Sequence, residues 1–382
     1  MAGAANDRLD AEVAVIGVGT VGSMLMWQLA RRGVHAIGFE RHAPGHDRGA
    51  VGGETRLFRM AYAEGAQYAE LLRQALGCWR DLESESATAL LVQCGGLAIG
   101  DLQGDYIGGL LANARTAGVP VEVFDRRAAH DRYPQHLLRD GEVAVLDRQA
   151  GFLRCEAAVI AAAATAEQHG ATVLRHTGVD EVLERGDHVE IRAGKAAWRV
   201  RDAVLCAGSW TARLLPAPWR AHLQARRVPL SWFAARHPEE FTPRRFPIFI
   251  RRTDAVEIYG APSVDGVSVK VASAVGSSPV DDPDQVERRH GRAEISVMSQ
   301  AVGELLSGLH PHPVRTDSFT DLYSSDGTPL VGRTTTGGRL LVAAAFSGRG
   351  FKYAPALAAV VADALVAHTE VPLDFMSPSR LS

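Results

Sequence analysis

The sequence predicts a two-domain α/β protein (α+β over the whole chain), in which one domain carries a parallel sheet between helices and the other an antiparallel sheet. Three observations point there. The chain has 382 residues, too many for one ordinary domain, and 46% of them are hydrophobic, enough to bury two cores. Residues 12–40 read as strand, glycine-rich turn, helix and strand in a single unit. Residues 226–270 then change texture, to prolines, aromatics and alternation of period two.

The run Val13-Ala14-Val15-Ile16-Gly17 is short, apolar and β-branched, as a strand covered on both faces must be. Gly17 permits the tight turn that follows, Gly19 lets the backbone approach a pyrophosphate, and Gly22 lets the next helix pack close to the strand. The helix reads from Ser23 to Arg32 and stops at Gly33, so its N-terminal N–H groups and positive dipole end face an anion. A second strand, Val34 to Phe39, ends on Glu40, whose carboxylate is placed to accept hydrogen bonds from both hydroxyls of an adenosine ribose. An acid there argues against a 2′-phosphate, hence against NADP, and leaves NAD and FAD open.

Downstream, residues 156–170 form an Ala-rich helix that leads into a parallel strand at 171–174. Val189-Glu190-Ile191 and Trp198 to Val200 alternate as an antiparallel pair, and residues 202–208 give another buried strand ending in glycine. Strands of the antiparallel sheet are expected at 246–250, 257–259 and 267–271. Residues 338–345 supply one more buried strand, followed by a Gly-rich turn and a helix from Ala354 to His368.

A formal charge of -3 and a pI near 6.5 leave no basic excess for phosphates, so nucleic acid is not an expected partner. No apolar stretch reaches the length of a membrane span, and residues 1–10 are small and polar without a signal core. A cytoplasmic protein with a short disordered lead-in is expected. Cys78, Cys94, Cys155 and Cys206 are scattered, which indicates neither a disulfide framework nor a metal site.

Three further segments follow the dinucleotide unit. The first is Gly52-Gly53-Glu54-Thr55-Arg56-Leu57-Phe58-Arg59-Met60-Ala61-Tyr62-Ala63-Glu64-Gly65. The next is Tyr259-Gly260-Ala261-Pro262, eight residues before Lys270. The last is Phe346-Ser347-Gly348-Arg349-Gly350-Phe351-Lys352, preceded by Asp326-Gly327-Thr328-Pro329. In order and spacing the four segments resemble the monomeric sarcosine oxidase and N-methyltryptophan oxidase family, flavoenzymes of the D-amino acid oxidase superfamily, across about residues 12–370. The resemblance implies a glutathione-reductase-type FAD-binding, Rossmann-like domain assembled from residues 11–88, 150–222 and 316–382. It is interleaved with an antiparallel-sheet substrate domain from 89–149 and 223–315. The resemblance also chooses FAD over NAD, since a nicotinamide dehydrogenase gives no reason for the second and fourth segments.

Arg56 and Arg59 stand three apart and in a helix would share a face. The resemblance implies that Arg56 lies beside the flavin ring and that Arg59 grips the substrate carboxylate through two parallel hydrogen bonds. The plainer alternative is a pair of surface arginines near Glu54 and Glu64. Lys352, beside Phe346 and Phe351, is expected to be buried, and by resemblance joins Arg59 on the carboxylate while the turn at Gly348 and Gly350 brings backbone N–H groups to the flavin. Its plainer alternative is a snorkelling lysine at a helix start.

Lys270 lies in Val267-Ser268-Val269-Lys270-Val271, so alternation sets it on the face away from Val269 and Val271. By resemblance that face looks onto the flavin, where a cation stabilises superoxide as it forms from O2; an exposed strand lysine is the alternative. Tyr259 contacts the substrate or packs in the sheet. Thr55, Val179, Gly208 and Trp210 are carried over from the resemblance as flavin neighbours.

Two departures from the family matter. The family ties its flavin through a cysteine thioether shortly before the Asp-Gly-x-x motif; here that position is Phe319, and residues 315–326 contain no cysteine. FAD is therefore expected to bind without a covalent bond. The family's histidine pair before the Arg motif is Val51-Gly52, and the histidine four residues past its oxygen-activating lysine is Ala274. A less polar, larger pocket and a substrate bulkier than sarcosine are expected.

The expected function is that of an FAD-dependent amine oxidase. It would oxidise the C–N bond of an amino acid, N-alkyl amino acid or amino-acid-derived biosynthetic intermediate to an imine and reduce O2 to H2O2, as a monomer or small homo-oligomer. Rival readings are a dehydrogenase or desaturase of a natural-product intermediate, and a flavin monooxygenase, for which no second nucleotide fingerprint is present.

Overall fold

Val13, Ala14 and Val15 of the Ala11–Ile16 strand are fully buried, each valine contributing roughly 1.5–3 kcal/mol by leaving water. The structure, a computed structural model, describes residues 9–62, 65–253 and 257–381. Most of the expected polar lead-in, and Glu64, lie outside the described residues.

Ala11–Ile16 pairs in parallel with Ala36–Phe39 on one side and Ala196–Leu205 on the other. The parallel run extends to Thr172–Leu174 beyond the first and to Leu340–Ala344 beyond the second. Glu181–Glu184, Val189–Ala193 and Leu330–Arg333 complete an eight-stranded sheet through antiparallel pairs. The helices Thr20–Arg31, Ala69–Ser86, Cys155–Gln168 and Ala354–Ala367 share one apolar core with residues of this sheet such as Val13 and Val15. Ile16, Phe39 and Val189, from the opposite face of this sheet, belong to a second cluster that Leu322 joins from outside the sheet.

The second sheet also has eight strands, in the order Leu309–Ser324, Leu223–Ala235, Ser268–Ser273, Glu257–Ala261, Ile248–Arg252, Gly96–Asp101, Glu142–Asp147 and Val121–Phe124. Its neighbours are antiparallel except for Ile248–Arg252 against Gly96–Asp101. Val269 and Val271 pack with Phe233, Phe249 and, from the Arg292–Leu305 helix, Met298 and Val302. Leu230, Trp232, Ala272, Phe319 and Tyr259 form a separate cluster from the alternate positions. A small sheet of Thr55–Phe58, Gly151–Arg154 and Leu91–Val92 supports the segment that carries Arg56.

The mixed α/β architecture is the one the sequence predicts, with corrections in detail. The first helix begins at Thr20, inside the glycine motif, because Ser23 N–H already bonds Gly19 C=O at 2.9 Å. The pieces expected at 198–200 and 202–208 are one strand, Ala196–Leu205, which exchanges an antiparallel neighbour for a parallel one along the same edge. Residues 55–58 are strand, so Arg56 and Arg59 do not share a helical face: Arg56 is paired opposite Leu153, and Arg59 follows the strand's end. The boundary expected at 315/316 falls inside Leu309–Ser324, which pairs with Leu223–Ala235 along its length.

Candidate active site

The strand–turn–helix unit opens onto a cavity of about 780 Å³. Gly17 and Gly19 line it; Gly22 does not, because a Cβ on Gly22 would stand 1.8 Å from the Gly17 carbonyl oxygen, so it serves the packing of helix on turn. A Cβ on Gly19 would meet only Val51, at 4.0 Å, so that position faces open space. The helix has no side-chain cap and no acid in its first turn. Its first N–H groups and dipole are thus left for an anion. This is the arrangement a pyrophosphate fits.

Glu40 accepts from Val18 N–H at 3.0 Å and from His42 N–H at 2.8 Å, with His46 Nε2 at 3.4 Å. Burial opposes its charge, but the hydrogen bonds from His46, His42 and Val18 prevail and hold its carboxyl below the usual range. Val179, Gly208 and Trp210 continue the wall, Trp210 anchored through Nε1 to Asp284 at 2.9 Å. Thr55 also lines the cavity, and its buried hydroxyl has no partner among the described residues. A long nucleotide fits this run from Glu40 to the second sheet.

Toward the second sheet the wall becomes cationic. Arg56 spends its Nη groups on the carbonyls of Ala50, Gly52 and Thr55 and on the Cys155 sulfur, so it fastens its own loop while lining the cavity. Arg59 and Lys352, distant in sequence, converge over the Tyr62 ring, with the guanidinium carbon 5.3 Å and the ammonium 4.7 Å from its centroid. Lys352 is buried, which excludes the snorkelling alternative, and donates to Arg349 C=O at 2.9 Å. Gly350 has no room for a Cβ beside Phe346, which keeps the turn before Lys352 tight. Tyr62 was not singled out in the sequence, although it stands in the same segment as both arginines.

Lys270 is 5% exposed, not an open-face strand lysine, and it points away from Val269 and Val271 into the cavity. Its Nζ donates to Gly53 C=O at 3.1 Å and Thr55 C=O at 2.5 Å. Burial, reinforced by the Arg56 charge, pulls its pKa down to about 7. Tyr259, on the neighbouring strand, lines the same cavity, and burial raises its pKa.

Two expectations about the wall are corrected. The N–H of Gly348, expected to face the flavin, donates instead to the Asp321 carboxylate at 2.7 Å. The space expected at Gly52 is not free: a Cβ there would lie 2.2 Å from the Phe319 ring, so the aromatic at the family's cysteine position fills the room left by the missing histidine. Val51 and Ala274 do line the cavity. Asp321 and Tyr323, missed in the sequence, line it together with Phe319; their signal was the period-two spacing 319, 321, 323 in a strand that had not been recognised.

The family of FAD-dependent oxidoreductases designated DAO matches residues 12–364. The chain belongs to this family. It is similar to monomeric sarcosine oxidase of Streptomyces avermitilis, 28% identical over 381 residues that cover 97% of this chain and 98% of the relative. N-methyl-L-tryptophan oxidase of Salmonella typhimurium is 27% identical, with 97% and 98% covered. Among solved structures, NikD, an unusual amino acid oxidase essential for nikkomycin biosynthesis, shares the fold at a TM-score of 0.85 and 23% identity, over 96% of this chain and 97% of that one. The protein is thus an FAD-dependent oxidoreductase of the amine and amino acid oxidase group, the kind that works on CH–NH bonds. No helix among the described residues is long and apolar enough to cross a membrane, and no cluster there is fit to hold a metal ion.

Proposed function

We propose that this oxidoreductase is an amine oxidase for an amino acid or N-alkyl amino acid, with FAD held non-covalently and O2 as electron acceptor. The observation that carries the reading is the convergence of Arg59 and Lys352 over Tyr62 on the cavity wall, two cations suited to one carboxylate. When bound, FAD supplies the two-electron oxidation of the carbon–nitrogen bond and passes the electrons to O2.

The chain's own residues do the rest. The helix N-terminus after Gly19, with Gly17 and Glu40, holds the nucleotide end, and Thr55, Val179, Gly208, Trp210 and the Gly348–Gly350 turn continue that site. Arg59 and Lys352 fix the substrate carboxylate and so choose which carbon is presented. Tyr259, Leu230 and Phe319 pack together and give the cavity an apolar stretch of wall. Lys270, held in place by the Gly53 and Thr55 carbonyls, offers a positive charge where O2 is reduced.

Phe319 supports the non-covalent attachment, since it has no sulfur to form a thioether. The side chains of Val51 and Ala274 on the wall support a substrate less polar than sarcosine. Four free cysteines support a reducing, cytoplasmic setting. Acid precipitation is expected to release all yellow colour into the supernatant, and a coloured pellet would refute the attachment. In anaerobic titrations, N-methyl and cyclic amino acids should bleach the flavin while their decarboxylated amines do not; bleaching only by the amines would sink the assignment of Arg59 and Lys352. Hydrogen peroxide formed on turnover separates the oxidase from a dehydrogenase.

A further inference from the structure

Among the described residues, four acids line the cavity. Glu40 is engaged by His46 and two backbone N–H groups, Asp180 accepts from Gly194 N–H, and Glu257 is tied to Arg252 at 2.8 Å. Asp321 is different. It has no ion-pair partner among the described residues and, unlike Asp180, which also has none but is exposed, it is withdrawn from water on the cavity wall within reach of the Arg56 charge.

Alternation along Leu309–Ser324 sets Asp321 on the face of Phe319 and Tyr323, and all three reach the cavity. Its two oxygens accept from Gly348 N–H at 2.7 Å and Leu322 N–H at 2.8 Å. Those bonds fix the carboxylate yet use only two of its roughly four acceptor positions. Burial raises the Asp321 pKa by more than these bonds and the Arg56 charge lower it, as expected of a carboxylate short of a cation.

The proposed substrate brings such a cation. An amino acid enters as a zwitterion, and its nitrogen, taken out of water beside Arg56 and Lys270, is costly to bury unless an anion faces it. We propose that Asp321 is a specificity-determining residue, accepting a charge-assisted hydrogen bond from the positively charged nitrogen of the substrate. The inference rests on the amino acid reading above and deepens it: Arg59 and Lys352 take one end of the zwitterion and Asp321 the other. The cavity thereby selects zwitterions over simple carboxylates of the same shape.

The test uses two matched probes that cannot be oxidised beside a nitrogen. One is 1-aminocyclopentane-1-carboxylate, which has no hydrogen on its α-carbon, and the other is cyclopentanecarboxylate, which lacks the nitrogen. Binding of each to the FAD-loaded protein is measured by calorimetry. The wild type should bind the amino probe about tenfold or more tightly, the range of a charge-assisted hydrogen bond. Asp321→Asn, which keeps the shape and an acceptor for Gly348 N–H, should abolish that ratio by weakening the amino probe and sparing or strengthening the other. Asp321→Glu should restore part of it.

A merely structural Asp321, tying the Gly348 turn to its strand, would shift both probes equally and leave the ratio intact, and that result overturns the proposal. So does a wild type without preference, an outcome that needs no variant to fold. If neither probe binds the wild type, the carboxylate site of Arg59 and Lys352 fails first. Binding of both with equal affinity fails Asp321 alone.

Discussion

Lys270 is a cation held where a cation is expensive. It is 5% exposed, its ammonium faces two backbone carbonyls and no carboxylate within ion-pair distance among the described residues, and burial with the Arg56 charge brings its pKa to about 7. The sign of the consequence is fixed. Below about 7 the side chain is charged and assists the reduction of O2; as pH rises through that value the proton leaves and the assistance goes with it. Stopped-flow mixing of substrate-reduced holoenzyme with O2 should therefore show a rate constant that declines as pH rises through about 7. Lys270→Met should react about a hundredfold more slowly with O2 and lose the pH dependence, while anaerobic bleaching by substrate changes little. A methionine variant that reoxidises at the wild-type rate removes Lys270 from the oxygen step.

At the scale of elements, the opening strand, turn and helix make two glycine substitutions distinguishable. Gly22→Ala places a methyl 1.8 Å from the Gly17 carbonyl, so turn and helix must part, at a cost of about 1–3 kcal/mol in the apoprotein. Gly19→Ala meets nothing nearer than Val51 at 4.0 Å; the apoprotein should keep its urea midpoint while its affinity for FAD falls. Equal midpoints for both variants would contradict the packing role of Gly22. This unit was legible in the sequence because its pattern is local: Val13 to Ile16 are apolar, the glycines are spaced by the turn, and Glu40 follows a short strand. Leu223–Ala235 and Leu309–Ser324 were not legible. They carry Arg226, Arg227, Pro229, Pro311 and Pro313, which read as loop, and their mutual pairing spans a long sequence separation that no window contains. Asp321 was hidden with them. For the arginine pair only the local geometry differs: a helix would have put both on one face, but Thr55–Phe58 finds strand partners in Gly151–Arg154, and both arginines line the cavity all the same.

For the whole molecule, the cavity joins the two sheets. One part of its wall comes from the parallel strands and their turns at Gly17, Glu40 and Gly208, the other from Lys270, Tyr259 and Phe319 of the second sheet. The two are tied by apolar packing, Ala225 and Leu322 of the second sheet sharing a buried cluster with Ile16 and Phe39 of the first, and by polar contacts such as Lys270 to the Gly53 and Thr55 carbonyls, Arg288 to Asp47, and Asp284 to Arg41 and Arg213. The exposed ion pairs among them contribute little. A ligand that fills the cavity touches both sides and binds the folded chain alone, so it should stabilise by mass action, about 2.7 kcal/mol at a hundred times its Kd. After the flavin is stripped by mild acid, the apoprotein should melt a few degrees lower, and its Tm should climb with each addition of FAD until the holoenzyme value is regained. A thioether-linked flavin would neither leave nor return under this treatment. A stripped protein whose Tm ignores added FAD would mean that the Gly17 turn, Glu40 and the walls around them do not retain the nucleotide without a tether, and Phe319 would then be no substitute for the cysteine it replaces.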